Sequence, residues 1–161
     1  MPQISRRDMC LLLPMLSVLA DPISIAAQPG RTEPATVPGP GTIGSARVFP
    51  FEKLEERKTA TGASWAIAHG TLATGETVNL HESMQVAGAP PVQLHVIQHS
   101  EFILVSEGEV EYKHELNCDV VTERATAGSV LYIPTGTRHA VRNVGSGPAR
   151  YFVVGIGGDA K

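Results

Sequence analysis

From Ala63 onward the chain alternates apolar and polar residues with a period of two, the mark of half-buried strands. Ala63–Thr71 (ASWAIAHGT) and Glu76–Val86 (ETVNLHESMQV) read as strands around a turn at Gly75. Val92–His99 reads as another. Glu101–Ser106 and Glu109–Lys113 flank Glu107-Gly108, a hairpin-like turn. Val120–Arg124, Val130–Ile133, Arg138–Val144 and Tyr151–Ile156 complete the set. Short strands separated by turn residues, with no long helix, predict an all-β sandwich or small barrel. Phe51–Arg57 predicts a charged helical turn, and Trp65 a core or wall position.

Composition supports this reading. Of 161 residues, 42% are hydrophobic and 18% charged, which suits one packed domain. Gly 16 and Pro 12 favour many turns. A net charge of −3 carries no basic footprint for nucleic acid, so none is expected as a partner.

The first residues carry a different message. Ser5-Arg6-Arg7 precedes an apolar run through Ala20, and small residues follow at Ser24, Ala26 and Ala27. That order predicts a secretory signal over residues 1–27, and the arginine pair resembles the twin-arginine export signal. The apolar run is shorter than the ~20 residues that span a bilayer. The mature chain is therefore expected to be periplasmic or secreted, with no membrane segment after cleavage. Residues 28–45 are Pro/Gly-rich and read as a linker, residues 46–157 as the folded domain, and 158–161 as a tail. Once Cys10 leaves with the signal, Cys118 is the lone cysteine and no internal disulfide is expected.

Two blocks concentrate the candidate chemistry. One runs His95-Val96-Ile97-Gln98-His99-Ser100-Glu101, with Gly108 seven residues further on. The other is GSVLYIPTGTRHAVRN, Gly128 to Asn143, which sets His139 just after a Pro-x-Gly turn. Alternation puts Gln93, His95, Ile97 and His99 on one strand face. His95, His99, Glu101 and His139 could converge between strands, and imidazole with carboxylate suits Fe, Mn, Ni, Co, Zn or Cu. Gln93 and Tyr132 are candidate pocket residues. One of His81 and Glu82 must point inward, as support to a ligand histidine or as a surface polar group. Arg142 and Arg150 read as a solvated strand face, and His69 and His114 are assigned no role.

These blocks resemble the two signature motifs of the cupin superfamily, in its small single-domain form. The second motif agrees at Gly128, Pro134, Gly136, His139 and Asn143. In the first, His95, Glu101 and Gly108 agree, while Gly88 stands one residue early and Ile97 replaces a ligand histidine. The resemblance covers roughly residues 75–157. It implies a double-stranded β-helix, or jelly-roll, closed as a barrel. It further implies a divalent metal (Fe, Mn, Ni, Zn or Cu) on His95, Glu101 and His139. At the position vacated by Ile97, His99 either substitutes as a ligand or sits solvated in a turn. The site then holds metal with three ligands, or has lost it.

The resemblance implies two functions. One is an exported metal-dependent enzyme, oxygenase-like, acting on a small organic substrate, with Glu101 as general base. The other is a non-catalytic small-molecule or metal-binding module. The resemblance also implies a homodimer.

Overall fold

The computed structural model describes residues 42–158 and 160, all within the compact unit Thr36–Lys161. The predicted signal segment and residues 28–41 of the predicted linker lie outside the described residues.

Eleven strands are present among the described residues: β1 Thr42–Ile43, β2 Glu56–Lys58, β3 Gly62–Leu72, β4 Thr77–Gln85, β5 His95–Val96, β6 Ser100–Glu107, β7 Glu109–Leu116, β8 Asp119–Thr126, β9 Val130–Ile133, β10 Arg138–Asn143 and β11 Ala149–Ile156. The larger sheet runs β1-β3-β4-β11-β6-β9, with β2 also on β3. The smaller runs β5-β10-β7-β8. All pairs are antiparallel except β1 with β3. The helical turn expected at Phe51–Arg57 is a 3-10 turn at Phe51–Lys53 followed by β2.

The closed barrel expected from the motifs is not formed. The two sheets stay separate, with no ladder joining them among the described residues. The edges that would have to pair are mostly too short. Strands β1 and β5 have two residues each, and β9 has four. The architecture is two facing sheets, open rather than closed.

Alternation decides what lies between them. Ile103 and Val105 of β6, Leu131 and Ile133 of β9, and Tyr151 and Val153 of β11 face Val110, Tyr112 and Val141 of the smaller sheet. Ile133 and Val110 have no exposed surface. Burying each such side chain contributes about 1.5–3 kcal/mol.

Two amides link the sheets. Gln85, at the end of β4, donates from Nε2 to the Val141 carbonyl (3.1 Å) and to the Tyr151 hydroxyl (2.8 Å). Its Oε1 accepts from the Asn143 backbone N–H at 2.7 Å. Asn143 Nδ2 donates to the carbonyls of Gln85 (3.0 Å) and Gly147 (2.8 Å). Its Oδ1 accepts from the Gly145 N–H at 2.9 Å, closing the turn after β10. Both residues are buried, so each bond replaces one that water would otherwise make.

The opposite face of the larger sheet has its own cover. Glu82 is buried and accepts from Arg150 Nη1 at 2.7 Å. The Arg150 guanidinium lies 5.2 Å from the Trp65 ring, and Phe51 of the 3-10 turn lies 5.4 Å from Trp65. Arg150 is thus held in an aromatic and carboxylate seat, against the solvated position expected from the sequence.

Gln85→Leu should destabilise the fold by about 2–4 kcal/mol, because it strands buried partners on β10 and β11. Urea unfolding would show a lower midpoint at unchanged slope. A midpoint equal to that of the wild type would refute the linking role of these amides.

Candidate functional site

The second motif block places its histidine by simple chain geometry. Pro134 ends β9, and Gly136 takes φ +79°, a left-handed conformation that favours glycine. The Gly136 N–H donates to the Ile97 carbonyl at 2.9 Å, which ties this turn to the first block. Strand β10 then starts at Arg138, and His139 points inward with only 2% of its side chain exposed.

Cross-strand pairing sets His95 directly opposite His139, with ring centroids 4.6 Å apart. His95 is exposed and stands at the cavity mouth. The strand expected over Val92–His99 shrinks to His95–Val96. Pro90 and Pro91 precede it, and the chain bends again at Gln98–His99. Ile97 packs against the apolar core, so the ligand position that it vacates is filled with hydrocarbon.

From the facing sheet comes Glu101. Its Oε1 is 3.0 Å from His99 Nε2, and its Oε2 is 3.7 Å from His139 Nε2. An ionised carboxylate only accepts, so Nε2 of His99 carries the hydrogen. His99 is 14% exposed and is therefore not solvated in a turn. His139 Nδ1 donates to the Thr137 carbonyl at 3.1 Å, which fixes its tautomer. In the neutral ring, Nε2 is then a bare acceptor facing a carboxylate oxygen.

These groups open onto a cavity of about 280 Å³. The larger sheet contributes His81, Ser83, Gln85, Glu101, Tyr151 and Val153, and the smaller His95, His139 and Val141. Burial lowers the pKa of His81, against the pull of the Glu101 charge. Burial also lowers that of His139, with the Thr137 carbonyl opposing. Both rings are thus held toward the neutral form. Burial raises the Tyr151 phenol.

Two expected pocket residues lie elsewhere. Tyr132 is 56% exposed and packs its ring 5.0 Å from that of Phe102, because its β9 neighbours Leu131 and Ile133 take the inward face. Gln93 is exposed and does not line the cavity. His81, Ser83 and Gln85 do line it. Their period-two spacing on Thr77–Gln85 was the available signal, but polar residues on a strand read equally well as its solvated face.

The fit to a metal fails on geometry. Among the described residues, no group of three or more His, Cys, Asp or Glu side chains is placed to hold a metal ion. Glu101 Oε1 is held by His99, and Ile97, where the motif has a ligand histidine, packs against the apolar core.

Similarity to known proteins agrees with the fold. The cupin-domain profile matches residues 80–155. Oxalate decarboxylase of Bacillus subtilis superposes with a TM-score of 0.57 at 18% identity, over 76% of this chain and 33% of that one. Oxalate decarboxylase of Lactobacillus farciminis gives 0.54 at 16% identity, over 65% and 31%. A capsular polysaccharide assembling protein of Staphylococcus aureus gives 0.53 at 13% identity, over 64% and 30%. The chain thus spans about a third of the length of these structures. No curated protein matches the sequence.

The depressed imidazoles make acid destabilising. In the unfolded chain His81 and His139 regain ordinary values near ~6.5, so it binds protons before the folded chain does. Their contribution is complete above that value and is lost as pH falls through it toward the lower folded values. Denaturation midpoints should be lower at pH 5.5 than at pH 7.5, with a smaller drop in a His81→Asn/His139→Asn variant. Equal drops in both proteins would contradict this. The paired motif blocks, the facing sheets and the matched profile lead to one assignment: residues 80–155 form a cupin domain.

Proposed function

We propose that this cupin domain is a binding module that captures a small organic molecule between its sheets without a resident metal. The observation that carries this is the pairing of Glu101 Oε2 with His139 Nε2, 3.7 Å apart at the cavity. Both are acceptors, and a donor from a ligand would satisfy both. The remaining lining is mixed: Val92, Ile103, Val141 and Val153 are apolar, and Thr61, His81, Ser83, Gln85, His95 and Tyr151 are polar. The chemical class is therefore a small amphipathic molecule with a hydroxyl or amine group. A cavity of about 280 Å³ lies at the small end of ligand sites.

A metal-dependent enzyme, oxygenase-like, is the second reading. It is favoured by the His139 tautomer, whose bare Nε2 is the form that ligates metals. His95, Glu101 and His139 would be its ligands, and His99 would have to release Glu101. The two oxalate decarboxylase neighbours share the fold at under a fifth identity, so their substrate carries no weight here.

Export rests on the Arg6-Arg7 segment and its apolar run alone. A homodimer is supported by an exposed apolar outer face, where Phe102, Leu104, Val130 and Tyr132 stand together on β6 and β9.

Calorimetry in excess chelator would test the binding reading with catechol, small aliphatic amines and oxalate. Catechol or an amine should bind, and Glu101→Gln should weaken binding about 10- to 100-fold, the equivalent of one charge-assisted hydrogen bond. Binding by oxalate alone, or binding that appears only when a divalent metal is added, would overturn it.

A further inference from the structure

Ile133, Glu101, Gly155 and Asn79 are cross-strand neighbours in one row of the larger sheet. Neighbours in such a row project to the same face, with Cβ atoms about 4.5–5.5 Å apart. Position 155 has no side chain, so the row has a gap immediately beside Glu101. The His99 ring fills that gap. A Cβ on residue 155 would stand 3.0 Å from its Cδ2 and 3.1 Å from its Nε2. The same Nε2 is the atom 3.0 Å from Glu101 Oε1. The imidazole is thus confined between the backbone of β11 and the carboxylate.

The chain beyond β11 completes the seat. The Gly157 N–H donates to the Thr77 carbonyl at 2.7 Å, and the Ala160 N–H to the Gly157 carbonyl at 3.1 Å. Gly158 has φ +52°, and a Cβ there would lie 1.8 Å from the Gln98 carbonyl oxygen and 3.3 Å from His99 Cα. Ala160 is fully buried, 3.5 Å from the Cβ position at residue 155. A C-terminal segment, distant in sequence, therefore packs on the residue that holds the carboxylate.

We propose that Gly155, Gly157, Gly158 and Ala160 are positioning elements for Glu101. They seat His99 so that it occupies Oε1 and leaves Oε2 turned to the cavity. A carboxylate is free to rotate about its last side-chain bond, and one fixed donor sets its plane. This rests on reading Glu101 as the polar centre of the binding site. The test needs no ligand, so its failure is separable from failure of that reading.

The test is a double-mutant cycle in the full chain with Gly155→Ala and His99→Ala, read by urea unfolding. Imidazole 15N spectra of the wild type and of Gly155→Ala accompany it. With His99 present, Gly155→Ala should lower the folding equilibrium constant, and the His99 signals should leave their Nε2–H pattern. With His99→Ala in place, the added methyl has room. It should then raise the constant roughly two- to fivefold, the usual gain from replacing a strand glycine. If Gly155→Ala alone does not fold, recovery of folding in the double variant supports the proposal, and failure of the double variant overturns it. The same sign and size of effect in both backgrounds, with His99 signals unmoved, also overturns it.

Discussion

Everything in this fold depends on how two sheets that share no ladder among the described residues are kept face to face. The apolar layer between them supplies most of the attraction, but it is not directional. Direction comes from the amides of Gln85 and Asn143. Gln85 sits at the end of β4 and reaches Val141 and the Asn143 N–H of β10. Asn143 returns a bond to the Gln85 carbonyl. A side chain of the wrong length at either position would leave several buried polar groups unpaired. The pair also fixes where β10 lies over β4 and β11, and hence where His139 meets Glu101.

The cavity is the polar end of the same interface. Gln85 lines it, and so does Tyr151, whose hydroxyl Gln85 contacts. Further along the sheets the lining becomes acidic and basic at once, through Glu101 and the histidines around it. His99 takes one carboxylate oxygen and His139 faces the other. Each imidazole is oriented by a second contact, His139 on the Thr137 carbonyl and His99 over the backbone of Gly155. Glu101 is only 12% exposed, and on the reading proposed above its second oxygen is left for a donor that a ligand would bring.

Much of this was legible in the chain. The period-two pattern marked most strands to within a few residues, and the Pro-x-Gly block located His139, because both are local signals. Asn143 belonged to a recognisable motif, but its partner Gln85 did not stand out. Nothing in a short-range pattern separates a polar strand residue that links two sheets from one that faces water. The strand at Val92–His99 was over-extended, since apolar alternation persisted where the prolines and the following bend limit pairing. His99 escaped for a related reason. Its seat is built by Gly155, Gly158 and Ala160, more than fifty residues away, and only the folded chain brings them together. Closure as a barrel was expected from the motifs, yet the motifs govern the turns and the site. The lengths of the edge strands govern closure.

The most direct test of the account is a crystal structure of the full chain grown from protein purified without added metal or chelator, with anomalous data collected above the edges of iron, nickel, copper and zinc. The account predicts Glu101 held by His99 on one oxygen and facing His139 with the other, and no anomalous peak among His95, Glu101 and His139. A strong peak bonded to those three side chains, with His99 turned away from Glu101, would contradict it.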